Sequence, residues 1–207
     1  IRLHQKEGTL SSYDLTIICL VIAQANGVNT ISLLEAKINC LLDHPFDPNK
    51  KVLILNKRRG GSIPVQPNEY SKEADLLSPI GLNIVPIIRL VLARNKPIRE
   101  LLNAEYSTYL FAYDGKHGYS VLSLFSLDQN IKKFVSFYGI KGFNGEPLKL
   151  NLSRLRATYL ANIFELSGYD TVLTAKYGKH DVRTANQHYR QATPEARQNF
   201  TKSVAEI

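Results

Sequence analysis

The stretch 151–189, NLSRLRATYLANIFELSGYDTVLTAKYGKHDVRTANQHY, is the most regular part of the chain, and the rest is read outward from it. Over Leu152–Leu166 the apolar residues Leu155, Tyr159, Ile163 and Leu166 recur at helical spacing, and Ser167-Gly168 ends the pattern. Asp170 is a candidate cap for a short helix running to Lys176, and Asp181–Tyr189 reads as another. Beyond it, Pro194–Val204 opens with Thr193 as N-cap and Pro194 in the first turn, where a missing N–H has no helical partner to lose. Three residues in this frame carry chemistry: Arg156 early in the first helix, His180 after Gly178-Lys179, and Tyr189 nine positions later. Each alone has an ordinary reading, as a solvated arginine, a helix-capping histidine and a half-buried packing tyrosine.

Upstream, Ser11 or Ser12 can cap a largely buried helix, Tyr13–Ala25, which Asn26-Gly27 stops; Thr30–Lys37 reads as a second short helix. Asp43-His44-Pro45 and Asp47-Pro48-Asn49 are turn-rich. Lys51–Leu55 (KVLIL) has the β-branched, apolar make-up of a strand. Ser62–Val65 is a second extended piece, which Pro64 restricts to a sheet edge. Between them, Asn56-Lys57-Arg58-Arg59-Gly60-Gly61 gives a hairpin with a cationic tip. Ser78–Asn103 is mainly helical, bent or broken at Pro86 and Pro97. Tyr106–Phe125 resists assignment, apart from a turn at Asp114-Gly115-Lys116-His117. Leu127–Tyr138 is amphipathic and ends at Gly139, and 139–150 reads as a loop. The expected fold is mainly α with a small antiparallel β-sheet or hairpin. No internal repeat and no low-complexity segment breaks it.

The 207 residues suffice for one domain with a real core. No apolar run approaches the roughly 18 residues of a membrane span, Leu15–Ala23 being the best stretch. The chain opens at Ile1 and has no methionine, so it reads as a piece of a longer protein. Cys19 and Cys40 lie in apolar surroundings without CxxC spacing and read as reduced core thiols. The net charge of +8 and a pI near 9.4 favour a polyanionic partner, since neutralised phosphates release their counterions. Phosphate-loop, dinucleotide and HExxH signatures are absent from the sequence. His180 and His188 lack a companion carboxylate or cysteine cluster, so no metal and no cofactor is expected.

Taken together, Arg156, His180 and Tyr189 resemble the tyrosine recombinase (phage-integrase) signature. In that signature an arginine in an HxxR frame opens a helix, and a Gly-His pair precedes a tyrosine by nine residues. The frame here is Ser153-Arg154-Leu155-Arg156. Upstream, 56–64 resembles the family's hairpin, where a lysine precedes a glycine turn and a proline. The resemblance runs from about Ser11 to Gln191. Three positions depart from the pattern: Asn29 stands where the family has its first arginine, Ser153 stands at the second-box His or Lys, and Lys179 separates Gly178 from His180.

The resemblance implies the fold of a tyrosine recombinase catalytic domain over 11–192. Residues 1–10 would be the end of a linker, and 193–207 a C-terminal helix exchanged between protomers. It implies site-specific DNA recombination or integration through a covalent 3′-phosphotyrosyl intermediate, with Tyr189, Arg156, His180 and Lys57 as catalytic residues and Asn29, Ser153 and Lys179 as accessory ones. A phenolate attacking phosphorus keeps the bond energy in a reversible phosphotyrosine. A guanidinium at Arg156 would match the charged nonbridging oxygens, His180 would donate a further hydrogen bond, and Lys57 would protonate the leaving sugar oxygen. Arg58, Arg59 and Arg154 would contact the DNA backbone. The implied setting is double-stranded DNA, a homo-tetramer on paired sites and a bacterial or phage cytoplasm, at the nucleoid, with no membrane. The alternatives are a catalytically impaired DNA-binding relative, a type IB topoisomerase-like enzyme, and a basic helical interaction module.

Overall fold

The structure, a computed structural model, describes residues 8–48, 50–56, 65–71, 83–178 and 182–183, with 56 and 65–71 as backbone only. Helix α1 (Ser12–Asn26) starts on a reciprocal cap. Ser11 Oγ accepts from the Asp14 N–H at 3.2 Å, and the Asp14 carboxylate accepts from the Ser11 N–H at 2.8 Å. It ends at Gly27, whose φ of 55° turns the chain left-handed while its N–H returns to Ala23 O. Helix α2 (Thr30–Leu34) stops three residues short of the expected Lys37, and Lys37 instead pairs as an isolated bridge with Tyr109.

Strands β1 (Leu41–Asp43), β2 (Lys50–Asn56) and β3 (Val65–Ser71) form an antiparallel sheet in the order β1-β2-β3. Lys51 faces Asp43 in this register and forms an ion pair with it, which holds the Asp43 carboxyl below its ordinary range. The second hairpin strand is expected at Ser62–Val65; of these only Val65 is described, and it lies in β3, which runs on to Ser71 with Pro67 opposite Ile54. Its sequence, VQPNEYS, has no apolar alternation. Pairing with β2 makes it a strand, and its edge position is where a proline costs least. The hairpin tip, 57–64, lies outside the described residues.

The prolines read as bends start helices instead. Pro86 opens α3 (Val85–Arg94) and Pro97 opens α4 (Lys96–Arg99), because a proline in the first turn gives up no hydrogen bond. The break between them is Asn95, fully buried. Its Nδ2 donates to Leu10 O at 3.2 Å and Ala112 O at 2.6 Å, and its Oδ1 accepts from the Leu10 N–H at 2.7 Å. Arg99, also buried, donates to Val91 O and Leu92 O near the C-terminal end of α3 and to Leu110 O, and burial pulls its pKa down.

The unassigned stretch holds a 3₁₀ turn (Tyr106–Thr108) and a hairpin of β4 (Ala112–Gly115) and β5 (Gly118–Val121), with Lys116-His117 at its turn as the sequence indicated. Helix α5 (Leu124–Phe137) starts three residues earlier than expected, on a Ser123 cap. Helix α6 spans Leu152–Leu166 as expected, and α7 spans Thr171–Gly178 behind Asp170, whose Oδ1 accepts from Val172 and Leu173. Helix α1 is apolar almost all round because α5, α6 and β4 pack around it; Leu15, Cys19, Ile22 and Ala23 are fully buried there. Cys19 and Cys40 are free buried thiols. The expected architecture, mainly helical with small antiparallel sheets, is what the structure has. The expected helix at 194–204 lies outside the described residues, and of that at 181–189 only Val182 and Arg183 are described, both helical.

Candidate functional site

Helix α6 starts at Asn151, whose side chain accepts from the Arg154 N–H at 2.8 Å, so Ser153, Arg154 and Arg156 all fall in its first two turns. Ser153 and Arg154 are exposed and Arg156 is half-buried. The side chains that α6 buries are Leu152, Tyr159, Leu160, Ile163 and Phe164, whereas Leu166 is 60% exposed. Of the expected stripe, Tyr159 and Ile163 are buried, Leu155 packs partly buried against the core and Leu166 turns outward, so the buried face is shifted toward Leu160 and Phe164. At roughly 100° per residue, Arg156 lies near the middle of the buried face, between Ile163 and Leu160. A charged residue in the centre of an apolar stripe is a signal that the sequence did contain.

This placement aims Arg156 at two helix ends. Its Nη1 donates to Gly27 O, just beyond the C-terminus of α1, and its Nη2 donates to Gly178 O, the last residue of α7, at 2.6 Å. Each helix C-terminus carries a partial negative charge of about half an electron, so two of them facing one guanidinium suit its positive charge. One turn along α6, the buried Tyr159 ring lies against Gly27. A Cβ added at Gly27 would stand 2.3 Å from Tyr159 Cδ1. Arg156 and Tyr159 thus grip the same glycine, one by its carbonyl and one by its bare Cα.

Asn29 lies two residues past Gly27 and is exposed. Its Oδ1 accepts from the Ile31 and Ser32 N–H groups at 3.0 and 3.3 Å, making it the N-cap of α2. Sequence reasoning weighed this residue only against an arginine and missed that its oxygen has local work, although Asn-Thr-Ile-Ser before an apolar run is a capping pattern. It also missed the roles of the Gly27 and Gly178 carbonyls, because a carbonyl partner leaves no trace in residue type.

The guanidinium thus joins the segment leading to Asn29 with the segment leading to 179–189. Lys57, Arg58, Arg59, Lys179, His180 and Tyr189 lie outside the described residues. Among the described residues no cluster of three His, Cys, Asp or Glu side chains can hold a metal ion, and no helix is long and apolar enough to cross a membrane.

No family model and no curated protein matches the chain. Among solved structures, the chain is similar to the XerH site-specific recombinase bound to a palindromic difH substrate in a post-cleavage complex, with a TM-score of 0.60 and 15% identity. The match covers 98% of this chain and 54% of the other, so the chain spans about half the length of that recombinase. Over nearly its whole length the chain shares the fold of part of that recombinase.

Proposed function

We propose that the chain cuts and rejoins double-stranded DNA at specific sites through a tyrosyl intermediate. The observation that carries the reading is Arg156: the inward arginine of α6 joins the ends of α1 and α7, in a fold shared with a recombinase whose structure is a post-cleavage complex. In this reading the Tyr189 phenolate, its proton already released to solvent, attacks the scissile phosphorus and the bond to the 5′ oxygen breaks. A 3′-phosphotyrosyl linkage forms, and the departing 5′ oxygen takes a proton from Lys57. Arg156 and His180 hold the nonbridging oxygens. Ser153 and Lys179 border these groups, and Arg58, Arg59 and Arg154 bind flanking phosphates. Rejoining reverses the step with a DNA 5′-hydroxyl as nucleophile, so no water, metal or cofactor enters. Assembly as a homo-tetramer on paired sites, with residues 193–207 passed between protomers, completes the proposal, as does action on integrating phage or mobile-element DNA.

The test is a pool of nicked duplexes with randomised flanks, which traps the covalent adduct as a slow band on a denaturing gel. The parent chain is expected to form it, and Tyr189→Phe to bind DNA without forming it. An adduct in the Phe variant would move the nucleophile to another tyrosine, such as Tyr177. DNA binding with no adduct from the parent chain would refute the chemistry and leave a DNA-binding relative. Recombination of two paired sites, against simple relaxation of supercoils, then separates a recombinase from a type IB topoisomerase-like enzyme.

A further inference from the structure

The start of α1 and the outer face of α5 enclose an open groove of about 720 Å³, away from the Arg156 junction. Among the described residues it is lined by Tyr13, Gln129, Lys132, Lys133, Ser136, Phe137 and Tyr138. Phe137 is 79% exposed and Tyr138 61%, and both lysines are exposed. The two rings meet edge to face with centroids 4.9 Å apart, and Tyr138 also leans on Phe134 at 4.9 Å, so the rings form a shelf. Among the described residues, neither lysine is in an ion pair and no carboxylate lines the groove. The nearest acids on these two elements are engaged or set apart. Asp14 is tied to Ser11, and Asp128 lies one turn before Lys132 outside the lining.

Helix α5 has a buried face of Leu127, Asn130, Ile131 and Val135, which already fills the core side. Phe137 and Tyr138 add nothing to that face. Two large rings held in water beside two cations match an interface: aromatic residues are enriched there, and contiguous exposed apolar surface on a monomer marks an interaction site. Duplex DNA would satisfy the lysines but offers little apolar surface to cover the rings. A second copy of a chain with net charge +8 would bring cations toward cations. We infer that this groove docks an acidic, apolar-bearing segment of a partner protein, its apolar side chains on the Phe137–Tyr138 shelf and its carboxylates on Lys132 and Lys133.

The probe is a synthetic amphipathic peptide with leucines at helical spacing and glutamates on the other face, titrated into the isotope-labelled full chain and followed by amide shifts. Saturable shifts confined to α5 and the start of α1 are expected. Phe137→Ser with Tyr138→Ser should weaken binding at least tenfold. Lys132→Glu with Lys133→Glu should abolish it, and a peptide carrying lysines for glutamates should bind that charge-reversed variant. All four positions are exposed, so unchanged melting curves are expected and would confirm that the variants fold. Several results overturn the inference. One is no shift up to roughly millimolar peptide, a binding energy near 4 kcal/mol. Another is equal binding of a peptide with glutamines for glutamates. A third is displacement of the peptide by a short duplex, which would make the groove a nucleic-acid site. A fourth is concentration-dependent dimerisation lost in Phe137→Ser, which would make the occupant a second copy.

Discussion

Replacing Gly27 with alanine tests the junction at its tightest point. Two independent penalties act there. The backbone has a φ of 55°, and alanine in the left-handed region costs about 1–2 kcal/mol. The new Cβ would also stand 2.3, 2.9 and 3.0 Å from Tyr159 Cδ1, Cε1 and Cγ, so a buried ring or the end of α1 must move. Overpacking of this kind costs about 1–3 kcal/mol. The expected loss is about 2–5 kcal/mol against a total stability of about 5–15 kcal/mol. The chain has no tryptophan, so urea unfolding is best followed by far-UV circular dichroism. In a double-mutant cycle with Tyr159→Ala, the steric part should vanish and the backbone part remain, giving a coupling of about 1–3 kcal/mol. Because Arg156 holds the Gly27 carbonyl, Gly27→Ala should also slow adduct formation more than Asn95→Ala, which removes a buried hydrogen-bonding hub away from the junction. A stability loss below about 1 kcal/mol, or strict additivity with Tyr159→Ala, would refute the described packing of α1 on α6.

Arg156→Lys should lower the rate of adduct formation by roughly a hundredfold or more, because one ammonium cannot replace a planar fork; a gel time course measures it. Asn29→Ala should cost about 1 kcal/mol in urea unfolding through the lost cap of α2. Asn29→Arg should show the same destabilisation together with faster adduct formation, and no gain in rate would mean another cation already serves that oxygen. Burial raises the Cys40 thiol from an ordinary value near 9 to about 11 and pushes Cys19 higher still. Both should resist alkylation at pH 8 in the folded chain and react in urea. The folded pKa of Cys40 lies above the unfolded one, so its contribution to stability is intact below about pH 9 and falls as pH rises toward 11, which urea midpoints across that range would show.

Helices with a strong local signal were legible. The Ser11 cap, Asn26-Gly27 stop and apolar run of α1, and the full span of α6, could be read from residue order. What misled was context. Strand β3 owes its conformation to β2, and Pro86 and Pro97 look like breakers until the first turns of α3 and α4 are placed around them. Arg156 was legible as a residue of interest, but its surroundings were not. The stripe was drawn through Leu155, Tyr159, Ile163 and Leu166, of which Leu166 turns outward, and the partners of Arg156 are main-chain carbonyls at Gly27 and Gly178. Asn29 was read by what it replaces, while its side chain serves the helix it begins.

The docking of α1 on α6 also sets the order in which the chain can mature. The two ends of the Gly27–Arg156 contact are 129 residues apart, so a nascent α1 waits for its partner. At a synthesis rate of roughly 5–20 residues per second, that interval is on the order of 10 s. Throughout it, a helix apolar on nearly every side lacks α6, its most extensive packing partner, while β4 and then α5 arrive late in that interval. Early termination anywhere before α6 therefore leaves a sticky, incompletely covered helix rather than a smaller stable unit. Chaperone dependence should fall sharply once translation has passed Phe164.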